Sequence, residues 1–521
     1  MGQLKTNPQT RSRGKQALRR KSISELQKDG ETSGLDRKLG ALNIAFLGVG
    51  CIVGAGIFVL TGTAAANYAG PAVIISFLLA ALACSLTGLC YAELASIIPV
   101  SGSSYNYCYA SLGEGVAWLL AWILIFDYTL AQALVGGGFA AYLTSFLSDF
   151  DIHVASQFAT STIEASKSGG RTTFATSQST NLIAVIAIMI AALLLTRGLS
   201  TSTRVNNALV VVKVFVLVLF VLVGLTSLNP DNWQPFIPEN QGGFSYGWEG
   251  VFRAASILFF AYLGFETIST AAGEARNPQT DMPVGIMGAL GLVTVLYIAV
   301  AVVLTGIVSY TELSTPDPIA VALDSIGRSS FGLIIKAGAI LGLGSVLLVN
   351  AYGQSRICFA VSKDGLLPSL FSKLHTKHAS PALGVIALGI LSAILAAFLP
   401  ITILGDLISI GTGFAFSIVC LSVMYLRTKS PETERKFRVP FGGVRVNGVW
   451  LGFVPVAAIV LCWVMIIPVL IDIVGQARSG HALPIVILTL WIILGTLIYI
   501  LYGLRGSRRH IVIASSSNTD S

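Results

Sequence analysis

The chain has 521 residues, of which 54% are hydrophobic and 11% are charged, and its mean hydropathy is +0.78. This composition excludes a soluble globular protein and is typical of a membrane protein with many spans. The net charge of +8 does not indicate nucleic acid binding, because the basic residues cluster in the two tails and in one loop.

Twelve apolar stretches follow one another along the chain, each close to the roughly 20 residues that a membrane-crossing helix needs. We therefore predict an all-α integral membrane protein with twelve transmembrane helices. The predicted spans, numbered 1 to 12, are 41–66, 71–97, 114–147, 180–197, 203–228, 248–275, 283–309, 333–361, 381–399, 402–426, 449–473 and 482–504. They form one membrane domain, residues 38–504, between two cytoplasmic tails, residues 1–37 and 505–521.

The distribution of basic residues predicts the orientation of the chain. They cluster at residues 11–21, at residues 427–445 after span 10, and at residues 505–509. With twelve spans, these clusters lie on one side, and loops on the other side, such as 229–247, hold almost no Lys or Arg. The positive-inside rule then places both termini in the cytoplasm, with the protein in the plasma (inner) membrane. Binding of anionic lipid is the alternative role of these clusters.

The start of the chain is long, polar and charged, so we expect no signal peptide before span 1. The number of cysteines is odd, and no CxxC pair occurs, so neither a disulfide framework nor a metal site is predicted. The cysteines, all in or beside spans, are Cys51, Cys84, Cys90, Cys108, Cys358, Cys420 and Cys462. No cofactor is predicted either.

Two spans in matching places of the two halves are interrupted by glycine. Residues 48–58 of span 1 read GVGCIVGAGIF, and residues 259–266 of span 6 read FFAYLGFE. Lipid offers no hydrogen-bond partners, so an unwound backbone is tolerated only where it faces protein or a cavity. Paired interruptions therefore predict a transport site at the midplane, between broken helices 1 and 6. Close packing of helices on small residues is the alternative.

The two interruptions also divide the chain into repeats. Spans 1–5 (about 41–228) and spans 6–10 (about 248–427) each begin with a broken helix. Because five is odd, the second unit enters the membrane from the opposite side, which predicts an inverted repeat. Spans 11 and 12, about 449–504, fall outside the repeat and are expected at its periphery. The Ser/Thr/Gln-rich loop 148–179 is not expected to form a core of its own.

The interrupted segments suggest a ligand with two charged ends. Residues 54–56 would present N–H groups at the start of a half-helix, where the partial positive charge favours a carboxylate. Carbonyl groups that end the other half-helices could accept hydrogen bonds from an ammonium group, so an α-amino acid fits both. The predicted contacts are the N–H groups of Ala55 and Gly56 and the carbonyls of Ile52, Val53, Phe260, Ala261 and Leu263. The Phe260 side chain either caps this site or is an ordinary packing aromatic.

Several motifs resemble those of a known family. Besides the span 1 motif they are YAEL with PVSGSSY (91–105), FFAYLGFETISTAAGEARNPQTDMPVGI (259–286), GQSR with SKDGLLP (353–368) and FRVP (437–440). Across nearly all of 35–500 the chain resembles the amino acid–polyamine–organocation (APC) superfamily, and within it the bacterial type of cationic amino acid transporter. The resemblance implies a LeuT-type 5+5 inverted repeat, and proton-coupled or exchange transport of amino acids.

Lys213 in span 5 is expected to be the only basic residue deep in an apolar span. An ionisable group inside a membrane is by default a functional candidate, because burying its charge is costly. Snorkelling of its ammonium group to the cytoplasmic interface is the alternative. The resemblance implies a lysine that faces span 1 where sodium-coupled relatives hold Na⁺, and so predicts a role in proton coupling.

Three further residues concern the substrate side chain and the span 6 break. The resemblance places Asp127 of span 3 near the substrate side chain, where relatives usually carry Glu; it would bind a cationic side chain or merely a neighbouring helix. Leu343 of span 8 falls at a pocket position, and its bulk would favour small substrates. Glu266 is expected to order the span 6 break. Cationic and small neutral amino acids both remain open as substrates.

We therefore predict a secondary active transporter of L-amino acids, proton-coupled or exchanging. An exchanger for cationic amino acids without proton coupling is one alternative, and a channel is another, although broken helices argue against a continuous pore. No enzyme activity is predicted, because the histidines lie in loops or at span ends and no HExxH motif occurs. The absence of a GxxxxGK[ST] loop excludes an ATP-driven pump.

The expected partners are the amino acid, a proton and the lipid bilayer, with no nucleic acid. The loops predicted outside the cell hold no cysteine, so a partner subunit linked by a disulfide is not expected. Whether another accessory subunit binds stays open.

Overall fold

The computed structural model describes residues 19–23, 39–100, 103–168, 171–197, 203–373 and 381–505. Within this part of the chain, nine helices are long and apolar enough to cross a membrane, and three shorter apolar helices join them. The protein is therefore a mostly helical, multi-pass membrane protein. Of the predicted tails, only 19–23 and residue 505 are among the described residues.

Every predicted span contains helix, and the predicted and observed bounds agree within a few residues. Span 1 consists of Ala41–Ile52, Gly56–Leu60, Thr61–Ala64 and Ala65–Ala69, and span 6 of Gly247–Phe259, Phe260–Tyr262, Phe265–Ile268 and Ser269–Glu274. The other spans, in order, are Val73–Ile97, Glu114–Ser148, Leu182–Thr196, Thr203–Gly224, Pro278–Ile307, Ser329–Lys363, Ala382–Phe398, Ile401–Lys429, Phe453–Arg478, and Leu483–Ile498 with Tyr499–Gly503.

Glycine and proline mark the passage from span 1 to span 2. Gly70 has a φ of +59°, a conformation that glycine adopts at little steric cost. Pro71 follows in the short turn of 3₁₀ helix Gly70–Ala72, where its missing N–H has no intrahelical acceptor to lose. The chain therefore changes direction inside a nearly continuous apolar stretch.

Both predicted helix breaks are confirmed. Helix Ala41–Ile52 ends where Val53 takes an extended conformation, and the helical path resumes at Gly56. In span 6, Gly247–Phe259 continues into the 3₁₀ turn Phe260–Tyr262. Gly264, at φ +117°, then begins Phe265–Ile268. Only glycine accepts this φ readily, so the sequence itself fixes the position of the second break.

Span 3 lies at the centre of the bundle and span 12 at its edge. Span 3 packs against spans 8 and 10, and 89% of its most apolar window is buried, against 6% for span 12. Span 12 is attached through the stacked rings of Trp122 and Trp491, 4.4 Å apart. Each indole N–H donates to the backbone carbonyl of the other residue. Span 11 is more enclosed and packs against spans 2, 6 and 10.

In the described ranges, four short strands lie outside the helices, and the all-α prediction did not include them. In loop 149–181, β1 (Ile163–Ser168) pairs antiparallel with β2 (Arg171–Thr176). Before span 11, β3 (Gly443–Val446) pairs with β4 (Val449–Gly452). Valine and threonine favour the extended backbone, and Asn447 with Gly448 adopt the positive φ of a tight hairpin turn. The loops also hold two short helices, Ser103–Ser111 and Pro318–Ser325.

We call the end of the bundle that carries loop 149–181 the long-loop end, and the opposite end, which carries residues 19–23, the tail end. At the tail end, Lys21 lies 2.7 Å from the carboxylate of Asp364. The buried Glu93 forms an ion pair with Arg427 and accepts a hydrogen bond from the N–H of Val439. Removing one partner of a buried ion pair strongly destabilises a protein. These contacts therefore hold together the helix ends at the tail end of the bundle.

Candidate substrate site

The two breaks lie directly against each other. A Cβ atom on Gly56 would collide with the Cα atom of Ala261, and one on Gly264 would come within 2.9 Å of the backbone of Cys51. The backbones of spans 1 and 6 therefore lie in direct contact at these two glycines, with the Cβ atoms of Ala261 and Cys51 beside them. Ala55 and Ala261 are almost completely buried, so the interrupted segments have protein around them.

A hydroxyl group from span 7 joins the two breaks. Tyr297 Oη lies 2.9 Å from the carbonyl oxygen of Ile52 and 3.1 Å from that of Ala261, and donates toward both. These are two of the carbonyls predicted to accept hydrogen bonds from an ammonium group. Because a carbonyl oxygen has two lone pairs, the tyrosine does not use up their accepting capacity.

The other three residues predicted to offer carbonyl groups to the substrate also lie at the two breaks. Val53 is fully buried at the end of the first half-helix. Phe260 is buried, and its carbonyl already accepts a hydrogen bond of 2.8 Å from the N–H of Leu263. Leu263 is partly buried and extended. The first N–H groups of a helix have no intrahelical acceptor, which leaves the start of the half-helix at Gly56 suited to an anion.

Glu266 orders the span 6 break. Its carboxylate accepts a hydrogen bond of 2.8 Å from the N–H of Gly264 and one of 3.3 Å from the hydroxyl of Tyr128. That hydroxyl also lies 2.7 Å from the hydroxyl of Thr267. The carboxylate thus fixes the turn at the glycine and connects it to span 3.

Lys213 connects span 5 to the break of span 1. Its Nζ donates a hydrogen bond of 2.9 Å to the carbonyl of Gly50, in the last turn before the break, and only 1% of the residue is exposed. The buried thiol of Cys51, the residue after Gly50, lies in the neighbourhood of both Lys213 and Glu266. The ammonium group therefore lies beside the break.

Span 8 covers the second half-helix of span 1. Val346 lies 3.1 Å from the position that a Cβ atom on Gly54 would take, and the side chain of Lys213 lies 3.3 Å from that position on Gly342. Leu343, between them in sequence, is fully buried and packs near Gly138 of span 3. The segment 342–346 therefore lies beside the break.

Asp127 lies between spans 3 and 10. It is fully buried, and its Oδ2 accepts a hydrogen bond of 3.2 Å from the hydroxyl of Thr412. A Cβ atom on Gly411 would collide with its Oδ1. Neither contact is with the carbonyl groups of Ile52 and Ala261 that Tyr297 joins. Contact of Asp127 with a substrate side chain stays a prediction.

Two further basic residues, Arg253 and Lys336, are buried in apolar spans, so the expectation that Lys213 is the only one is wrong. Arg253 of span 6 is fully buried. Its Nη2 lies 2.7 Å from Asp406 of span 10 and 3.0 Å from Asp472 of span 11. Its guanidinium also lies over the ring of Tyr68. The sequence places these charges in different spans, and only the fold brings them together.

A large cavity opens at the long-loop end. Its volume is about 770 Å³, and its lining includes Val59 and Thr63 of span 1 and Ala133 and Gly137 of span 3. Val59 follows Gly56 by three residues in the same half-helix. The cavity thus reaches from the long loop to within about one helical turn of the break in span 1.

Sequence reasoning did not identify Tyr297 or Tyr128 as site residues. Each is a tyrosine inside an apolar span, where a buried hydroxyl usually finds a partner. That rule could have marked them as candidates, but it could not have named the carbonyls and the carboxylate that they reach. Those partners come from other spans and depend on how the helices pack.

Comparisons with known proteins agree with this architecture. A family model described as "Amino acid permease" matches residues 39–502. The methylthioribose transporter of Bacillus subtilis (strain 168) is 40% identical over 500 residues, covering 95% of this chain and 99% of that protein. The branched-chain amino acid permease BcaP of the same strain is 40% identical over 496 residues, covering 95% and 98%.

A more distant relative is the vacuolar cationic amino acid transporter 4 of Arabidopsis thaliana. It is 35% identical over 419 residues, which are 80% of this chain and 68% of that protein. The relatives named here are transporters or permeases, and none is named as an enzyme. The chain belongs to the amino acid permease family, within the APC superfamily.

Proposed function

We propose that this chain is a secondary active transporter of L-amino acids that binds its substrate at the midplane between the breaks of spans 1 and 6. The observation that carries the proposal is the direct contact of the two interrupted backbones, with Tyr297 joining their carbonyls. Unwound backbone inside a membrane protein is tolerated where it lines a site. The helix bounds support the twelve-span, 5+5 inverted repeat that we propose as the frame of this site.

Each end of the substrate has a proposed partner. The carboxylate binds the N–H groups of Ala55 and Gly56, where the partial positive charge of the half-helix favours an anion. The ammonium group binds carbonyls of Ile52, Ala261 and their neighbours, beside the Tyr297 hydroxyl. Because Gly56 already packs on Ala261, the substrate must part the two breaks as it enters.

The two ends of the bundle support alternating access. The cavity at the long-loop end leads toward Val59, whereas ion pairs and the residues 19–23 cover the tail end. We propose that the long-loop end faces outside and that both termini lie in the cytoplasm of a plasma-membrane protein, as the positive-inside rule predicts. The structure then corresponds to a state open toward the outside above a closed site.

Proton coupling is proposed for Lys213. When charged, the ammonium group donates a charge-assisted hydrogen bond to the carbonyl of Gly50 and stabilises one arrangement of the first half-helix; when neutral, it donates only a weaker bond, and that arrangement loses stability. The substrate organises the same break, so proton and substrate bias a single two-state element. An exchanger without proton coupling is the rival, in which this lysine is only structural.

The substrate class that we propose follows from the paired breaks. The names of the relatives include branched-chain amino acids, cationic amino acids and methylthioribose, which has neither an ammonium nor a carboxylate group. Leu343 beside the break favours small or apolar side chains, whereas Asp127 would favour cationic ones. The paired breaks favour a zwitterion, and we therefore propose an amino acid.

Uptake into proteoliposomes tests the function. Purified protein should accumulate labelled L-leucine or L-lysine in counterflow, that is, against a pool of unlabelled amino acid preloaded inside, and the uptake should saturate. Competition by the twenty amino acids and by methylthioribose would then rank the substrates. Flux that does not saturate and shows no counterflow would indicate a channel, and competition by methylthioribose alone would show that the proposed substrate class is wrong.

Gly56 tests the backbone site. Gly56→Ala places a Cβ atom against Ala261, in the space through which the substrate carboxylate would approach the N–H of Gly56, and overpacking of this kind destabilises a packed region by about 1–3 kcal/mol. We expect Gly56→Ala to weaken substrate binding and Gly56→Val to abolish it. Gly344→Ala is the matched control, because its Cβ would meet only an ordinary contact with Phe139, at 3.6 Å. Transport by Gly56→Val with an unchanged KM would contradict this site.

Lys213 tests the coupling. Lys213→Met keeps an unbranched side chain but removes the donor to Gly50, so an inward pH gradient should no longer stimulate uptake, while substrate binding weakens far less. Val211→Met, at an exposed position of the same span, serves as control and should respond like the wild type. A wild-type response to the pH gradient in Lys213→Met liposomes would rule out this lysine as the coupling group.

A further inference from the structure

The cavity at the long-loop end is acidic. Among the described residues that line it, the charged ones are Glu164 and Asp406, and none is Lys or Arg. Hydroxyl and amide groups make up much of the rest of the lining, including Thr402, Asn181 and Gln476. A roomy cavity with a few polar groups among apolar ones is the usual form of a small-molecule site.

The wall behind Asp406 holds two carboxylates for one guanidinium. Arg253 is paired with both, those of Asp406 and Asp472, so the formal charges of the three groups sum to −1. Asp472 is partly buried at 16% side-chain exposure, and Asp406 is buried at 8%. In a setting of low dielectric, this excess negative charge attracts a cation into the adjacent cavity.

A second observation, independent of the charges, comes from Gln476 of span 11. This residue lines the cavity and is 94% buried, with an exposed fraction of 6%. In the part of the chain that the structure describes, no hydrogen-bond donor reaches its side-chain oxygen. A buried acceptor without a donor costs free energy, and an ammonium or guanidinium group in the cavity would supply the missing donor.

We propose that this cavity is an outer binding site that takes the cationic end of an amino acid, an ammonium or guanidinium group, against Asp406 and Gln476. It lies above the site between the breaks, so the amino acid binds here before it reaches Gly56. This inference rests on the proposed function and adds to it a second place for the substrate. The lack of basic side chains in the described lining also makes the outer site unfavourable for a free anion.

The number of molecules bound per chain tests the proposal. Purified full-length protein is titrated with labelled L-lysine and, separately, labelled L-leucine, in equilibrium dialysis. We expect two molecules per chain for the wild type and one for Gln476→Leu, which removes the acceptor and leaves the Arg253 ion pairs intact. Gly56→Val should also bind one, because only the outer site remains. Gln157→Leu, which changes an exposed glutamine of loop 149–181 that does not line the cavity, should bind two.

A gain-of-affinity variant keeps the test decisive if Gln476→Leu is poorly folded. Gln476→Glu adds a carboxylate at the same place and should tighten lysine binding at the outer site several-fold.

One molecule per chain in the wild type, lost in Gly56→Val and kept in Gln476→Leu, would overturn the outer site and leave the proposed function standing. Labelled Na⁺ that binds in a Gln476-dependent way, where neither amino acid does, would also overturn it, because the cation would then be inorganic. Absence of amino acid binding together with absence of uptake would instead count against the proposed function.

Discussion

The contact between two interrupted backbones, at Gly56 with Ala261 and at Gly264 with Cys51, is the constraint on which the rest of the structure depends. Backbone groups that leave the helical path inside a membrane need partners within the protein. Here Tyr297, Glu266 and Lys213 supply them, each from a different span. The surrounding helices therefore hold the two interrupted backbone segments in contact with each other.

The relatives are named for different substrates, and the proposed site is compatible with such differences. The groups that meet at the breaks are mostly backbone atoms and a few hydroxyl and charged groups, which in the proposed site would recognise the charged ends of a small molecule. Side chains such as Leu343 and Asp127 surround this shared part and would set the preference for the remainder. Function then resides in the site and not in the fold as a whole.

Sequence reasoning predicted the spans, both breaks and the ordering role of Glu266, because these depend on hydrophobic length and on glycine, which act locally. It did not predict the hairpins at 163–176 and 443–452, where short Val/Thr-rich runs were too brief to be separated from loop. It overlooked Arg253, since a charge five residues inside an apolar stretch looks like an interfacial residue until its partners on spans 10 and 11 are known. The reach of Tyr297 to two carbonyls required the packing of three spans, which no local pattern encodes.

Hydrogen–deuterium exchange tests most directly whether the substrate binds at the paired breaks. Amide exchange reports local opening of the backbone, so a saturating amino acid should slow exchange in peptides that cover residues 52–58 and 260–266. Peptides from span 12, whose main contacts among the described residues are with spans 3, 10 and 11, should be unaffected. Slower exchange at both breaks is the result that the account predicts. Unchanged exchange at the breaks, in protein that demonstrably binds and transports the amino acid, would contradict it.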